Sequence, residues 1–377
     1  MTGNIFHYFK AKALVFFTLM LFALVSCTEE NPYSGVSLTL TGVPEQMRIG
    51  ETVEVSASLS SSVTATYKWM SLNPSVLSVT PDGDKATIKA LQGGRATVLV
   101  YLAESEAVNA RAVVEIEKAG DGILRILAIG NSFSQDAVEQ YLYELFEAGG
   151  QKTIIGNLYI GGCSLEKHYN NINNDAAAYE YRKVVDGVKT NTKSVKISSV
   201  LAEEDWDYIS IQQVSGLSGK IETVTPYLPQ VLNYVRSHSA SKVKILWHST
   251  WAYAATSNHA DFPKYNSDQM TMFNAITEVG KTVMADKTYA FDLLIPSGTA
   301  IQNGRTSSLG DSFNRDGYHL ETTYGRYTAA CTWYEAISGK NVMDNPYAPS
   351  TVDATKAAIA RKAAHNAVAN PYSVTSF

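Results

Sequence analysis

The chain has 377 residues with 31 Lys and Arg against 36 Asp and Glu, a formal net charge of −5 that argues against nucleic acid as a partner. That length suffices for one large core plus a small second domain. Of its three cysteines, the two outside the amino-terminal segment, Cys163 and Cys331, are too few for a disulfide framework and badly spaced for zinc.

At the amino end, Lys10 and Lys12 precede an apolar run from Leu14 to Val25 and then Ser26-Cys27. The run is too short to span a bilayer comfortably, and small residues lead into a cysteine, so residues 1–26 read as a lipoprotein signal peptide and Cys27 as the acylated first residue of the mature chain. Losing the two lysines takes the charge to about −7. Thr28-Glu29-Glu30 resembles the acidic export tag of Bacteroidetes lipoproteins, which implies a lipid anchor in the outer membrane with display at the cell surface, the periplasmic face being the alternative. Residues 27–35 are the tether.

From 36 to 118, short runs alternate apolar and polar residues, as in Val53-Glu54-Val55-Ser56-Ala57 and Ala96-Thr97-Val98-Leu99-Val100, with turn signals such as Pro81-Asp82-Gly83-Asp84 between them. That is the pattern of half-buried strands in a small all-β sandwich. Trp69-Met70-Ser71, Val76-Leu77-Ser78-Val79 and Gly94-Arg95-Ala96 resemble the bacterial Ig-like group 2 domain. A spacer is the leading reading of such a domain and a glycan-binding module the other. Residues 118–122 form the linker.

Beyond it, near-continuous apolar strands (124–129, 153–160, 207–213, 243–248 and 289–293) alternate with helix-length segments (136–148, 164–186, 196–204, 221–237, 267–285, 322–338 and 353–368). Strands apolar on both faces belong to a parallel sheet covered on both sides, so residues 123–377 read as a doubly wound, flavodoxin-like α/β/α domain whose ligands bind at the carboxyl ends of the strands. Cys163 and Cys331 read as buried free thiols, with a bridge between them as the alternative.

Ser132 closes the turn Gly130-Asn131-Ser132 after the first of these strands, and Asp316-Gly317-Tyr318-His319 lies far downstream. A serine needs a base within reach to act as a nucleophile, and a carboxylate to orient that base, so Ser132, His319 and Asp316 form a candidate triad for acyl transfer. A helix-capping serine is the plain alternative. Trp247, His248 and Trp251 end the fourth strand, where aromatic rings can stack on sugars or simply fill the core. Arg315 and Arg326 flank the Asp-His loop, either to grip an acidic substrate or to form salt bridges. His168, His248 and His259 lack a histidine partner at i+4, so no metal is expected.

These motifs resemble the SGNH, or GDSL-like, hydrolase superfamily over residues 124 to about 340, and in particular an uncharacterised Bacteroidetes branch in which GNSFS, DWDYISIQQ and RDGYHL recur together. Asn131 stands where the superfamily usually has aspartate. The resemblance implies oxyanion amides from Ser132 and Gly162, with Gly161 as fallback. The usual Gly-x-Asn-Asp block is missing, and Gln213, or failing it Gln212, is the expected substitute for the third donor. It further implies a cofactor-free serine esterase removing acyl groups, chiefly acetyl, from a carbohydrate. The rival classes are a glycan-binding protein that has lost the chemistry and an esterase for acyl lipid or thioester. Asn131, Gln212, Trp247, His248 and Trp251 are the expected substrate contacts. Oligomeric state is not legible.

Overall fold

The computed structural model describes residues 31–117 and 121–377; the expected leader, Cys27, the acidic tag and most of the linker lie outside them. The chain divides into two compact units between Asp121 and Gly122.

Among its described residues the first unit has eight strands in two sheets: β1 (Leu38–Thr41), β2 (Gln46–Arg48), β3 (Thr52–Leu59), β4 (Tyr67–Ser71), β5 (Leu77–Asp82), β6 (Lys85–Ala90), β7 (Gly94–Leu102) and β8 (Ser105–Glu117). One sheet runs β1-β3-β6-β5 and the other β2-β8-β7-β4. Alternation places Ala96, Val98, Val100 and Leu102 of β7 in a core shared with Val55, Leu77 and Ile88 of the facing sheet. Trp69 belongs to that core, and its indole donates to the Gly83 carbonyl at 3.1 Å.

The second unit is a seven-stranded mixed sheet of β9 (Ile123–Gly130), β10 (Lys152–Tyr159), β11 (Tyr179–Val185), β12 (Val188–Val195), β13 (Tyr208–Ile211), β14 (Lys244–His248) and β15 (Leu293–Ile295), in the order β12-β11-β10-β9-β13-β14-β15. Strands β10, β9, β13, β14 and β15 are parallel, and β11 and β12 add an antiparallel hairpin at one edge. On β9, Ile126 and Ala128 face one apolar cluster while Leu127 and Ile129 face another. Both faces are therefore covered, which is why this strand reads as an unbroken apolar run.

The helices are α1 (Ser132–Val138), α2 (Leu142–Ala148), α3 (Leu165–Asn173), α4 (Ile197–Leu201), α5 (Leu228–Ser237), α6 (Gln269–Ala285), α7 (Ser297–Arg305), α8 (Tyr324–Ser338) and α9 (Ala354–Ala369). Phe133, Leu145, Trp333 and Ala360 place α1, α2, α8 and α9 in the first cluster, and Leu165, Val200 and Val231 place α3, α4 and α5 in the second.

Four expectations need correction, the first being the helix expected over 221–237, which begins only at Leu228 after a separate 3-10 turn at Ile221–Thr223. The stretch 164–186 is not one helix: α3 ends at Asn173 and β11 follows, with Tyr179, Tyr181 and Val184 buried as it pairs with β10. Asp186 and Gly187 both take positive φ, the two-residue turn that closes a hairpin. The helix expected over 136–148 is two helices, broken at Tyr141, whose φ of 73° is left-handed and whose hydroxyl donates to the Thr322 carbonyl at 3.1 Å. The last strand lies at Leu293–Ile295 rather than 289–293, and α7 follows it directly.

Helix α7 approaches the chain after β14 so closely that a Cβ on Gly298 would sit 2.1 Å from the Thr250 carbonyl oxygen. Backbone cannot yield as a side chain can. Gly298→Ala should therefore cost about 1–3 kcal/mol, read as a lower urea midpoint with an unchanged slope; an unmoved midpoint would contradict this packing.

Candidate active site

Strand β9 ends at Gly130, where any side chain would collide: a Cβ would lie 2.7 Å from Ser134 Oγ and 2.9 Å from Gln212 Cδ. Asn131 then leaves the strand in an extended conformation and caps α1, its Oδ1 accepting from the Phe133 amide at 2.9 Å. Ser132 is the first residue of α1 and is half-buried.

The second part of the site is the loop before α8. The Arg315 amide donates to the His319 carbonyl at 2.9 Å, and Asn314 and Leu320 form a β-bridge, so the segment closes on itself. The Tyr318 carbonyl ties the loop to the core by accepting from the buried Trp251 Nε1 at 2.8 Å, and it also accepts from Asn314 Nδ2 within the loop at 3.0 Å. The Gly317 carbonyl accepts from the Ala254 amide at 2.8 Å. Gly317 has a φ of +88°, and an added Cβ would fall 3.1 Å from Ser257 Oγ, so the turn favours glycine twice over.

This loop brings His319 Nε2 to 2.9 Å from Ser132 Oγ, across 187 residues of sequence. His319 Nδ1 lies 2.7 Å from Asp316 Oδ2, while Asp316 Oδ1 accepts the backbone amides of His319 at 2.7 Å and Tyr318 at 3.2 Å. Burial alone would raise the Asp316 pKa, but the His319 ring and these two amides outweigh it and hold it below the ordinary value. An ionised Asp316 makes Nδ1 the protonated nitrogen of a neutral ring and leaves Nε2 free to accept from the serine. That is the arrangement for general-base activation of a hydroxyl.

Ser132 and His319 open on a cleft of about 420 Å³, lined also by Asn131, Phe133, Tyr159, Gly161, Gly162, Val214, Ser215, His259, Asp261 and Tyr318. Gly161 and Gly162 form the turn after β10, closed by the Cys163 amide donating to the Ile160 carbonyl at 3.2 Å, with Gly162 at a φ of +61°. Among the described residues, no three His, Cys, Asp or Glu side chains gather into a group able to hold a metal.

Gln213 does not serve this cleft. Its Nε2 donates to Thr223 O at 3.0 Å and Thr223 Oγ1 at 3.1 Å, and its Oε1 accepts the amides of Leu165 and Val214 at 2.9 Å each. A fully bonded carboxamide is a brace between loops, so its expected role as oxyanion donor is corrected. Gln212 is buried behind Asn131, donating to Asn131 Oδ1 at 3.0 Å. Its Oε1 must then accept from His248 Nδ1 at 2.8 Å, and the neutral ring's Nε2 accepts from Ser297 Oγ at 3.0 Å.

Asn131 Nδ2 donates to the Cys163 carbonyl at 3.0 Å, a bond that an ionised aspartate could not make. The amide at this position thus ties the serine turn to the glycine turn. Trp247 faces the core against Phe291, and Trp251 is fully buried and stacked on Phe133 with ring centroids 4.4 Å apart. Of the five expected substrate contacts only Asn131 lines the cleft; Gln212, His248 and Trp251 support it from behind, and Trp247 belongs to the core. Arg315 and Arg326 are engaged by Asp136 rather than held ready for an acidic ligand. Cys163 and Cys331 are free and buried.

Sequence reasoning passed over Tyr159, Val214, Ser215, Asp261 and Tyr318 as cleft residues, and set His259 aside with the scattered histidines. Position at or just beyond the carboxyl end of a parallel strand was a usable signal for Tyr159, Val214 and Ser215. Asp261 and His259 sit on a long loop that offers no such signal.

Residues 125–367 match the model of a family described as a domain of unknown function, DUF4886. No curated protein matches. Among solved structures, a DUF4886 family protein from Bacteroides uniformis is 53% identical with a TM-score of 0.66, over 67% of this chain and 97% of that one. TesA, at 15% identity and a TM-score of 0.35, covers 58% of this chain and 98% of its own. Axe2, an acetylxylan esterase from Geobacillus stearothermophilus, has 12% identity and a TM-score of 0.35 over 60% and 97%. The last two likenesses are too distant to carry chemistry across.

Burial lowers the His248 pKa to about 3, and burial aided by the charge of Lys167 lowers that of His168 to about 4. Below about pH 6.5 the unfolded chain binds these protons and the folded chain does not, so folding stability falls on acidification from there toward pH 4, by about 1.4 kcal/mol per pH unit for each ring. Urea titrations across that window should show the slope for His168→Gln reduced by about one proton. An identical slope would mean that His168 charges freely in the fold.

Proposed function

This chain belongs to the DUF4886 family, and on that footing we propose that it is a serine esterase of SGNH type, acting on small acyl esters. The observation that carries the proposal is the unbroken chain of hydrogen bonds from Ser132 Oγ to His319 to Asp316, at 2.9 Å and 2.7 Å.

In this reading Ser132 Oγ attacks the acyl carbonyl while His319 Nε2 takes its proton, and Asp316 stabilises the resulting imidazolium. The backbone amides of Ser132 and Gly162 receive the oxyanion. Collapse of the tetrahedral adduct expels the alcohol, which takes the proton back from His319, and leaves Ser132 acylated. Water, deprotonated by the same ring, then attacks the acyl-enzyme and releases the acid and the free serine. No cofactor enters these steps.

With Gln213 committed to Thr223, the reading has two oxyanion donors rather than three. One such donor is worth about 2.7–4 kcal/mol in transition-state stabilisation, so turnover should be modest beside a three-donor site. The same observation favours the second reading, a glycan-binding protein on a hydrolase scaffold. Tyr159 and Tyr318 at the cleft wall, with Asp261 and His259 beside them, suit a hydroxyl-rich alcohol such as a sugar better than a long acyl chain. The Ig-like reading of the first unit, its role as spacer, and lipid anchoring through Cys27 belong to the same proposal. They rest on the sequence signals described above.

Purified protein should hydrolyse a short-chain nitrophenyl ester, with rates falling steeply as the acyl chain lengthens. Ser132→Ala should lose about 10³-fold or more of that rate without loss of folding. Since the base must be neutral to accept a proton, kcat/KM should fall on the acid side as His319 becomes protonated. Wild-type protein that neither turns over such esters nor reacts with an active-serine phosphonate would favour the binding reading.

A further inference from the structure

Asp136 lies one turn after Ser132 on α1 and is wholly buried. Buried carboxylates are rare unless paired, and this one is paired repeatedly. It accepts Arg315 Nη1 at 3.0 Å, Arg326 Nη2 at 2.7 Å and the Leu320 amide at 2.8 Å. Arg315 also donates to the Leu320 carbonyl. The helix that carries the serine is thereby bonded on both sides of His319 to the loop that carries the base.

We propose that Asp136 is a positioning residue for the Ser132–His319 pair: its carboxylate fixes the approach of the two and balances the cations next to the base. The proposal rests on the esterase reading for its kinetic consequences but not for its electrostatic one. Two guanidiniums and one carboxylate leave this cluster with a net charge of +1. Asparagine at 136 would raise it to +2, and like charge disfavours a protonated imidazole, so the pKa of His319 should fall. Removing one arginine would bring the cluster to zero and push that pKa up.

Other groups around the ring stay constant across these variants. Asp316 and Tyr318 lie on its own loop, and Ser132 with the Phe133 ring on α1. The His259 ring packs edge-on against Tyr318 with centroids 4.7 Å apart, Asp261 lines the same cleft, and Tyr159 ends β10.

The test compares Asp136→Asn, Asp136→Glu and Arg326→Gln with wild type in the full chain. Folding is checked by circular dichroism and active-site content by phosphonate titration. Per active site, Asp136→Asn should lose at least about tenfold in kcat with KM for a short ester changed by less than about threefold, the pattern of an interaction that matters for the transition state. Its acid limb should move to lower pH, while Asp136→Glu should restore the limb but not the full kcat. Arg326→Gln should move the limb the opposite way, and it keeps the test available if Asp136→Asn does not fold.

The His319 ring resonance, assigned by its loss in His319→Gln, reports the same opposed shifts without turnover. An inert wild type with opposed NMR shifts would therefore sink the esterase reading and leave the positioning role standing. Unshifted titrations, shifts in the same direction for the two charge-changing variants, or a folded Asp136→Asn with wild-type kcat would overturn the role of Asp136.

Discussion

Parallel pairing of β9 with β10 on one side and β13 on the other constrains the whole site. Parallel strands end at a common edge, so the segments leaving them meet there: Asn131-Ser132 after β9, Gly161-Gly162 after β10, and Val214-Ser215 after β13. None of these segments carries a base. The imidazole comes from the loop before α8, and its position depends on how firmly that loop is held. Trp251, Asn314 and Ala254 hold its backbone, and Asp136 ties it to α1. A serine–imidazole distance is thus set by contacts on the backbone of both segments, not by the two side chains alone.

Behind the cleft lies a buried network of neutral groups. Ser297, His248, Gln212 and Asn131 pass hydrogen bonds in one direction and end at the carbonyl of Cys163, next to the glycine turn. Every donor and acceptor on this path has a single consistent assignment, which fixes rotamers at little electrostatic cost. Burial keeps His248 uncharged, so the path brings no competing cation near Ser132. The position needs one donor and one acceptor together, which asparagine supplies and an ionised aspartate does not.

Much of this was legible in the sequence, for identifiable reasons. The apolar runs 124–129 and 243–248 are buried on both faces, so their composition declares them. Glycine followed by a serine at a strand end, with an Asp-x-x-His segment far downstream, gave the three reactive groups because each is dictated by local chemistry. The hairpin β11–β12 was missed because β12 is exposed along nearly all its length and shows no apolar alternation; Asp186-Gly187 was the signal available. Gln213 was assigned to the cleft because a strand end predicts proximity but not side-chain direction, and four hydrogen bonds decide that direction. Asp136 could not be found, since its partners lie some 180 residues away and sequence pattern carries no trace of such a pairing.

The central claim is that a neutral imidazole held by Asp316 makes the Ser132 hydroxyl nucleophilic. Rapid quenching of the protein during turnover of a slowly deacylated short-chain ester, followed by peptide mass analysis, tests it directly. The account predicts a burst of released alcohol of one equivalent per active site and one acyl group on the peptide containing Ser132. Product release without a burst, or acylation at another residue with Ser132 unmodified, would contradict it.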